Sequence, residues 1–172
     1  MADAGTLRYE IVAEEDVTDE RRALAGDLLA DCFDRPEARE RAWILHPPMY
    51  RVLVWHGDVL VGQEMGCRVE CDPPIDPHGL GDAAVRKEWR RQGVADRMGV
   101  LLHEEAICRN ADAVLCATGQ LDRIVLGHGM EPLEPDEVYL KRRFRRDLPL
   151  GKGWYIRWHG EKVVPLKIDR KF

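Results

Sequence analysis

Apolar and polar side chains alternate from Leu7 to Val12, with Leu7, Tyr9 and Ile11 set against Arg8, Glu10 and Val12, the period-two pattern of a first strand. The period then lengthens. Leu24, Leu28, Leu29 and Cys32 recur at helical spacing between Glu20 and Cys32 with charges opposite, and Thr18 stands where it can cap that helix. A second, short helix is predicted over Arg35 to Trp43, ending before Pro47-Pro48 because a residue ahead of proline is pushed out of the helical region. Tyr50 to Trp55 and Val59 to Cys71 are rich in Val and aromatic residues, and His56-Gly57-Asp58 between them predicts an antiparallel hairpin.

Three prolines (Pro73, Pro74, Pro77) make Asp72 to His78 a loop, and the small apolar run Leu80 to Val85 beyond it predicts a central strand. A charged turn then opens a long helix whose apolar stripe is Val94, Met98, Leu101, Leu102 and Cys108, with Asn110 as its stop. Ala113 to Ala117 is a short continuous apolar run of the kind found in mid-sheet. A helix from about Leu121 to Gly127 and strands over Val138 to Phe144 and Trp154 to Trp158 complete the pattern. Without repeats, low-complexity tracts or linkers, residues 1–172 read as one α/β domain.

Composition narrows the class. A chain of 172 residues with 45% hydrophobic and 33% charged residues fits a globular domain and not a disordered one. Its 26 basic against 31 acidic residues give a net charge of -5, the wrong sign for a general nucleic-acid footprint. The five cysteines (Cys32, Cys67, Cys71, Cys108, Cys116) are odd in number and lack a CxxC pair, which argues against a secreted disulfide framework and for a reducing cytoplasm. Met1 to Arg8 holds no signal-peptide core and no run approaches the ~20 apolar residues that cross a bilayer, so neither export nor a membrane partner is expected.

The chemistry is concentrated between Gly81 and Ala95, where the pattern gives strand, tight basic turn and helix start. Unpaired N–H groups at a helix N-terminus carry about half a positive charge, and a turn free of bulk lets a phosphate come close. Gly93 admits positive φ, Val94 and Ala95 begin the helix without crowding it, and Arg90, Arg91 and Gln92 bring donors, two of them charged. The expectation is a pyrophosphate cradle that lacks the Lys-Ser/Thr of a nucleotide P-loop.

Arg90-x-x-Gly93-x-Ala95 after Ala83-Ala84-Val85 resembles the acetyl-CoA motif of the GNAT N-acetyltransferase superfamily, and the order of elements from about Leu7 to Leu133 is also similar. Pro48-Met49-Tyr50-Arg51-Val52-Leu53-Val54-Trp55-His56-Gly57, with Val85-Arg86-Lys87-Glu88-Trp89-Arg90, resembles the aminoglycoside 2'-N-acetyltransferases and the nodulation N-acyltransferases that acylate an amino sugar. The resemblance implies a GNAT-like mixed sheet of about six or seven strands flanked by helices, with acyl-CoA in a V-shaped split between two central strands, here Leu80 to Val85 and Ala113 to Ala117. It implies acetyl-CoA or another acyl-CoA as co-substrate, no metal, and backbone groups of Ala84 and Val85 pairing with the pantetheine arm as an added strand would. The acceptor implied is a small-molecule amine, and a homodimer is compatible.

Two positions depart from the family. Gly129-Met130 aligns with a Gly-aromatic pair that follows a thiolate-protonating Tyr in many relatives, which puts Val125 at the Tyr position. Gly81 occupies the place of an acid common in relatives, with Asp82 next to it. An ammonium must lose a proton before it can attack a thioester. Asp82 is the only carboxylate on the central strand, and alternation places it on the face of His78 and Leu80, so Asp82 is the expected proton acceptor and His78 the second choice. The plainer readings are that Asp82 neutralises Arg86 and that His78 is an exposed loop residue.

Glu70, Asp72 and Asp76 form an acidic loop suited to a cationic acceptor. Cys67, Cys71 and His78 read better as buried thiols and a loop histidine than as metal ligands. The run Lys141-Arg142-Arg143-Phe144-Arg145-Arg146 reads as a solvated sheet edge, with a phosphate of CoA or an anionic acceptor as its functional alternatives. Two rival functions stand beside N-acetyl transfer: a catalytically silent CoA-binding module and a longer-chain acyltransferase.

Overall fold

The computed structural model describes residues 6–39, 47–118, 122–134, 137–140, 148–149 and 153–168. Strand β1 (Arg8–Ala13) leads to helix α1 (Asp19–Phe33), whose first turn is closed by the Thr18 hydroxyl accepting from the Arg21 N–H at 3.3 Å. Its buried side is Ala25, Leu28 and Leu29, while Leu24 is 37% exposed: the stripe lies one position further round than the leucines alone indicate. Of the short second helix only the 3-10 turn Pro36–Arg39 is described, and residues 40–46 lie outside the described residues.

Strands β2 (Pro48–His56) and β3 (Val59–Arg68) form the expected hairpin around Gly57, which has φ +57. The second run is shorter than expected, because Cys71–Asp72 is a separate strand, β4, in another sheet. Strand β5 (Pro77–Val85) begins three residues before Leu80 and takes in His78. Helix α2 (Val94–Cys108) buries Val94, Met98, Leu102, His103 and Ala106, leaves Cys108 exposed, and is stopped by Asn110 at φ 59. Strand β6 (Ala113–Ala117), helix α3 (Asp122–Gly127) and strands β7 (Glu131–Pro132), β8 (Val138–Leu140), β9 (Leu148–Pro149), β10 (Trp154–Trp158) and β11 (Leu166–Ile168) follow. The basic run at 141–146 lies outside the described residues.

Seven strands form a mixed sheet in the order β1-β2-β3-β5-β6-β10-β7, and four short ones form a second sheet, β4-β11-β8-β9. Within the large sheet β5 and β6 are the one parallel pair among the described residues, joined by α2 as a crossover helix. One face of the sheet packs Tyr50, Val52, Val54, Leu80 and Val114 against Met98, Leu102 and Ala106 of α2 and Val125 of α3. The opposite face is shared. Leu53, Trp55, Leu60 and Ala84 pack on Leu28 and Leu29 of α1, and Cys67, Leu115 and Ile156 pack on Leu166 and Ile168 of the second sheet.

Candidate functional site

The parallel pairing of β5 with β6 runs from Pro77↔Ala113 to Leu80↔Cys116 and stops there. Beyond it β6 stays with β10, through Tyr155↔Cys116 and Trp154↔Ala117, while β5 stays with β3. The edges of Gly81–Val85 and Ala117 that face each other therefore carry no strand partner among the described residues, and a split opens between the two central strands.

A bulge shapes the edge of that split. The register jumps from Met65↔Gly81 to Gln63↔Ala84, so Asp82 and Ala83 stand opposite Glu64 alone. Asp82 sits at φ 54, a left-handed conformation that Asp tolerates better than most residues. The extra residue breaks alternation. Leu80 and Ala83 both line a cavity against α2, whereas the Asp82 carboxylate is on the other face, where Arg51 is the cation that acts on it and Cys67 feels its charge. Asp82 is thus not on the face of His78, as strict alternation requires, nor is it the partner of Arg86, whose Nε donates to the Leu60 carbonyl at 2.9 Å. Burial pushes its carboxyl up to about 6 against the opposing pull of Arg51, and Oδ2 has no hydrogen-bond partner.

His78 is 1% exposed and its Nδ1 shares a 2.9 Å hydrogen bond with the Tyr50 hydroxyl. Burial lowers its pKa, so the ring is held neutral, and it pairs with Val114 at the closed end of the strand pair. The acidic loop is at that closed end too. Asp76 binds Arg68 at 3.1 and 3.4 Å and its N–H donates to Asp112 at 2.7 Å, Asp72 pairs with Lys167 of β11, and Glu70 is exposed between β3 and β4. Five residues of strand, roughly 16 Å, separate Asp76 from Gly81, so the structure does not bring Glu70, Asp72 and Asp76 to the split. Cys67 and Cys71 donate to the Gly79 and Pro73 carbonyls, and no group of three or more potential metal ligands occurs among the described residues.

At the open end, β5 runs into the turn at Arg90 to Gly93. The Arg90 Nε donates to the Val85 carbonyl at 2.8 Å and the Gln92 amide to the Glu88 carbonyl at 2.8 Å, which folds the turn back on the strand end. Arg90, Arg91, Gln92 and Gly93 are exposed. Gly93 is the N-cap of α2 at φ 76, with nothing within 4 Å of where a Cβ would stand, and it contributes no capping side chain. The first-turn N–H groups of α2 at Val94 and Ala95 therefore have no capping side chain and follow two exposed arginines, an arrangement that fits a pyrophosphate.

One group at the split was not expected from sequence. Glu64, opposite the bulge, is 8% exposed, lies on the α2 face between Gly62 and Gly66, and lines a cavity of ≈ 20 Å³ with Leu80, Ala83, Cys116, Val125 and His103. Burial alone pushes its carboxyl up to about 8, with no opposing cation. The one signal in the sequence is a lone carboxyl in the run Gly62-Gln63-Glu64-Met65-Gly66, in a strand otherwise apolar apart from Gln63 and the terminal Arg68. Nearby, burial pushes His103 down to about 4; its Nδ1 donates to the Gly99 carbonyl at 2.8 Å, which leaves Nε2 as an unpartnered acceptor.

The fold recurs in known structures. ElaA from Escherichia coli superposes with a TM-score of 0.65 at 14% identity, covering 88% of this chain and 99% of that one. YhbS from Escherichia coli, a GNAT family N-acetyltransferase solved in complex with CoA, superposes at 0.66 and 14% identity over 92% of this chain and 85% of its own. The fold is the GNAT fold. An acyl-CoA N-acyltransferase from Pseudomonas aeruginosa shares this GNAT architecture at a TM-score of 0.63 and 16% identity, over 88% of this chain and 99% of that chain. No protein-family model matches the sequence, and no curated protein matches it. At such identities the GNAT fold is shared by many chemistries, so function rests on the site.

Proposed function

We propose that the protein is an acyl-CoA-dependent N-acyltransferase that moves an acetyl group to a primary amine of a small polar acceptor, by direct attack of the amine on the thioester. The observation that carries this reading is the continuity of two features: the split between β5 and β6, and the open turn at Gly93 at its mouth. Val94 and Ala95 would hold the pyrophosphate through their N–H groups, Arg90, Arg91 and Gln92 would flank it, and the free edge at Ala84 and Val85 would pair with the pantetheine arm. Acyl-CoA supplies the activated thioester; the chain positions it, which alone accounts for a large part of such an acceleration.

Asp82 is the proton acceptor in this reading. It stands at the bulge, its carboxyl is held near 6, and one of its oxygens is buried without a partner. The acceptor then approaches from the face that carries α1 and the second sheet, and not past the acidic loop. The likeness of Pro48 to Gly57 and Val85 to Arg90 to amino-sugar acyltransferases supports an amino sugar or aminoglycoside-like compound as that acceptor.

The test is a matrix of acyl-CoAs of rising chain length against a panel of amines, followed by thiol release. Transfer from acetyl-CoA to polyhydroxylated amines is the expected result. CoA binding without transfer to any amine identifies a silent CoA-binding module instead, and preference for long acyl chains identifies a longer-chain acyltransferase.

A further inference from the structure

Acyl transfer has a second proton to place, because the departing CoA thiolate must be protonated, and Val125 offers no donor where many GNAT relatives carry a tyrosine. The wall of the cavity that Val125 lines supplies one. Glu64 is more than nine-tenths buried, and among the described residues its carboxyl has neither a hydrogen bond nor an ion pair. It comes from β3, lines the cavity together with Ala83 of β5 and Cys116 of β6, and is close enough to β6 for Cys116 to feel its charge. A carboxyl left in this state is costly to a fold unless it stays protonated, and a protonated carboxyl is a hydrogen-bond donor.

We propose, resting on the acyltransferase reading above, that Glu64 is the acid that protonates the leaving thiolate, doing from β3 what a tyrosine on α3 would otherwise do. The two carboxyls then divide the work by face. As the N–C bond forms and the C–S bond breaks, Asp82 takes one proton from the amine nitrogen on the α1 side, and Glu64 gives its carboxyl proton to the sulfur on the α2 side. The balance is amine plus thioester to amide plus thiol; afterwards Asp82 releases its proton to solvent and Glu64 regains one.

The environments separate the two groups in the required order. Asp82 is held near 6 and Glu64 near 8, so between those values the first is ionised and the second protonated, the condition for a base and an acid at one site. The titratable groups facing Glu64 are Tyr50 from β2, His103 from α2, Cys116 from β6 and His128 after α3. Burial keeps Tyr50, Cys116 and His103 uncharged near neutrality. His128 is turned toward Asp96, with Nε2 at 2.9 Å.

The test uses wild-type protein and Glu64→Gln, which keeps the shape and removes the acidic proton. Three readouts are combined: acetyl-CoA affinity by calorimetry, kcat against pH with an amine from the matrix, and a 13C NMR titration of protein labelled at the glutamate side-chain carboxyls. Expected are CoA affinity within about threefold, kcat lower by about a hundredfold at neutral pH, and loss of the fall in rate that the wild type shows above about pH 8. In wild type one glutamate carboxyl remains protonated at pH 7, a measurement that needs no variant to fold. Absence of such a resonance overturns the proposal, as does a Glu64→Gln enzyme with wild-type kcat, or one whose loss lies in CoA affinity. A wild type that transfers nothing overturns the acyltransferase reading itself, and the role of Glu64 with it.

Discussion

Asp82 and Glu64 lie across one bulge and differ in their surroundings: a cation acts on the first, and none among the described residues acts on the more deeply buried second. Arg51, paired with Glu14 at 2.6 Å and bonded to Gln63 at 3.2 Å, is that cation. As the proposed base Asp82 works ionised, so the rate of the wild type is expected to rise as pH passes about 6, where that carboxyl loses its proton. Removing the arginine removes a pull that lowers this value. Arg51→Met therefore moves the rising limb of the kcat profile to higher pH, and Asp82→Asn, which asparagine's tolerance of the left-handed region makes benign to the fold, lowers kcat about a hundredfold with a deficit that shrinks as pH rises. A pH–rate series on the three proteins checks both. Gly93 acts through its absence of side chain. Gly93→Glu strains the positive φ by about 1 kcal/mol, covers the first-turn N–H groups and adds a like charge, so CoA binding is lost while circular dichroism is unchanged; retained affinity in a folded variant removes the cradle from the site.

Strand β3 is the element on which the α2 face turns. Its residues Gly62 and Gly66 flank Glu64, and neither is idle: a methyl on Gly66 would be driven into the buried Tyr50 ring, whose hydroxyl also holds His78. Gly66→Ala is expected to cost about 1–3 kcal/mol by overpacking, read as a lower Tm, with Gly57→Asn in the exposed hairpin turn as a near-neutral comparison. At this scale the sequence was a good guide where periodicity acts alone. The hairpin, the bounds of β6, the Thr18 cap and the strand–turn–helix around Gly93 all follow from local pattern. It misled where one residue changes the count. The bulge puts Asp82 and His78 on opposite faces, and no alternation rule foresees an inserted residue. Glu64 was hidden for another reason: that a carboxyl is buried and unpaired depends on what α2 and α3 bring over it. The second sheet joins four short strands distant in sequence, and β11 has too little pattern to be foreseen.

Taken as a whole, the molecule divides the proposed reaction between the two faces of one sheet. The turn at Gly93 and the N-terminus of α2 open on one side of the split, and the bulged Asp82 carboxylate turns to the side of α1 and the second sheet. No helix among the described residues is long and apolar enough to cross a membrane. In the acidic loop at the closed end of β5, Asp76 is bonded to Arg68 and its backbone N–H to Asp112, which ties that residue to the loop and not to the split.

The parted strands make the central sheet a partition with a slot in it, open where β5 leaves β6. In the proposed reaction donor and amine meet at the slot from opposite faces of the sheet, and the two products withdraw in opposite directions. Free CoA accordingly inhibits in competition with the acyl donor and noncompetitively against the amine, and the acylated product does the reverse. Initial-rate plots with each product added will show it: mutual exclusion of CoA and amine would mean a single doorway. A bisubstrate inhibitor for such an enzyme must be thin at its middle, since its linker, and not either end group, is the part that threads the slot where β5 and β6 part company after Leu80 and Cys116.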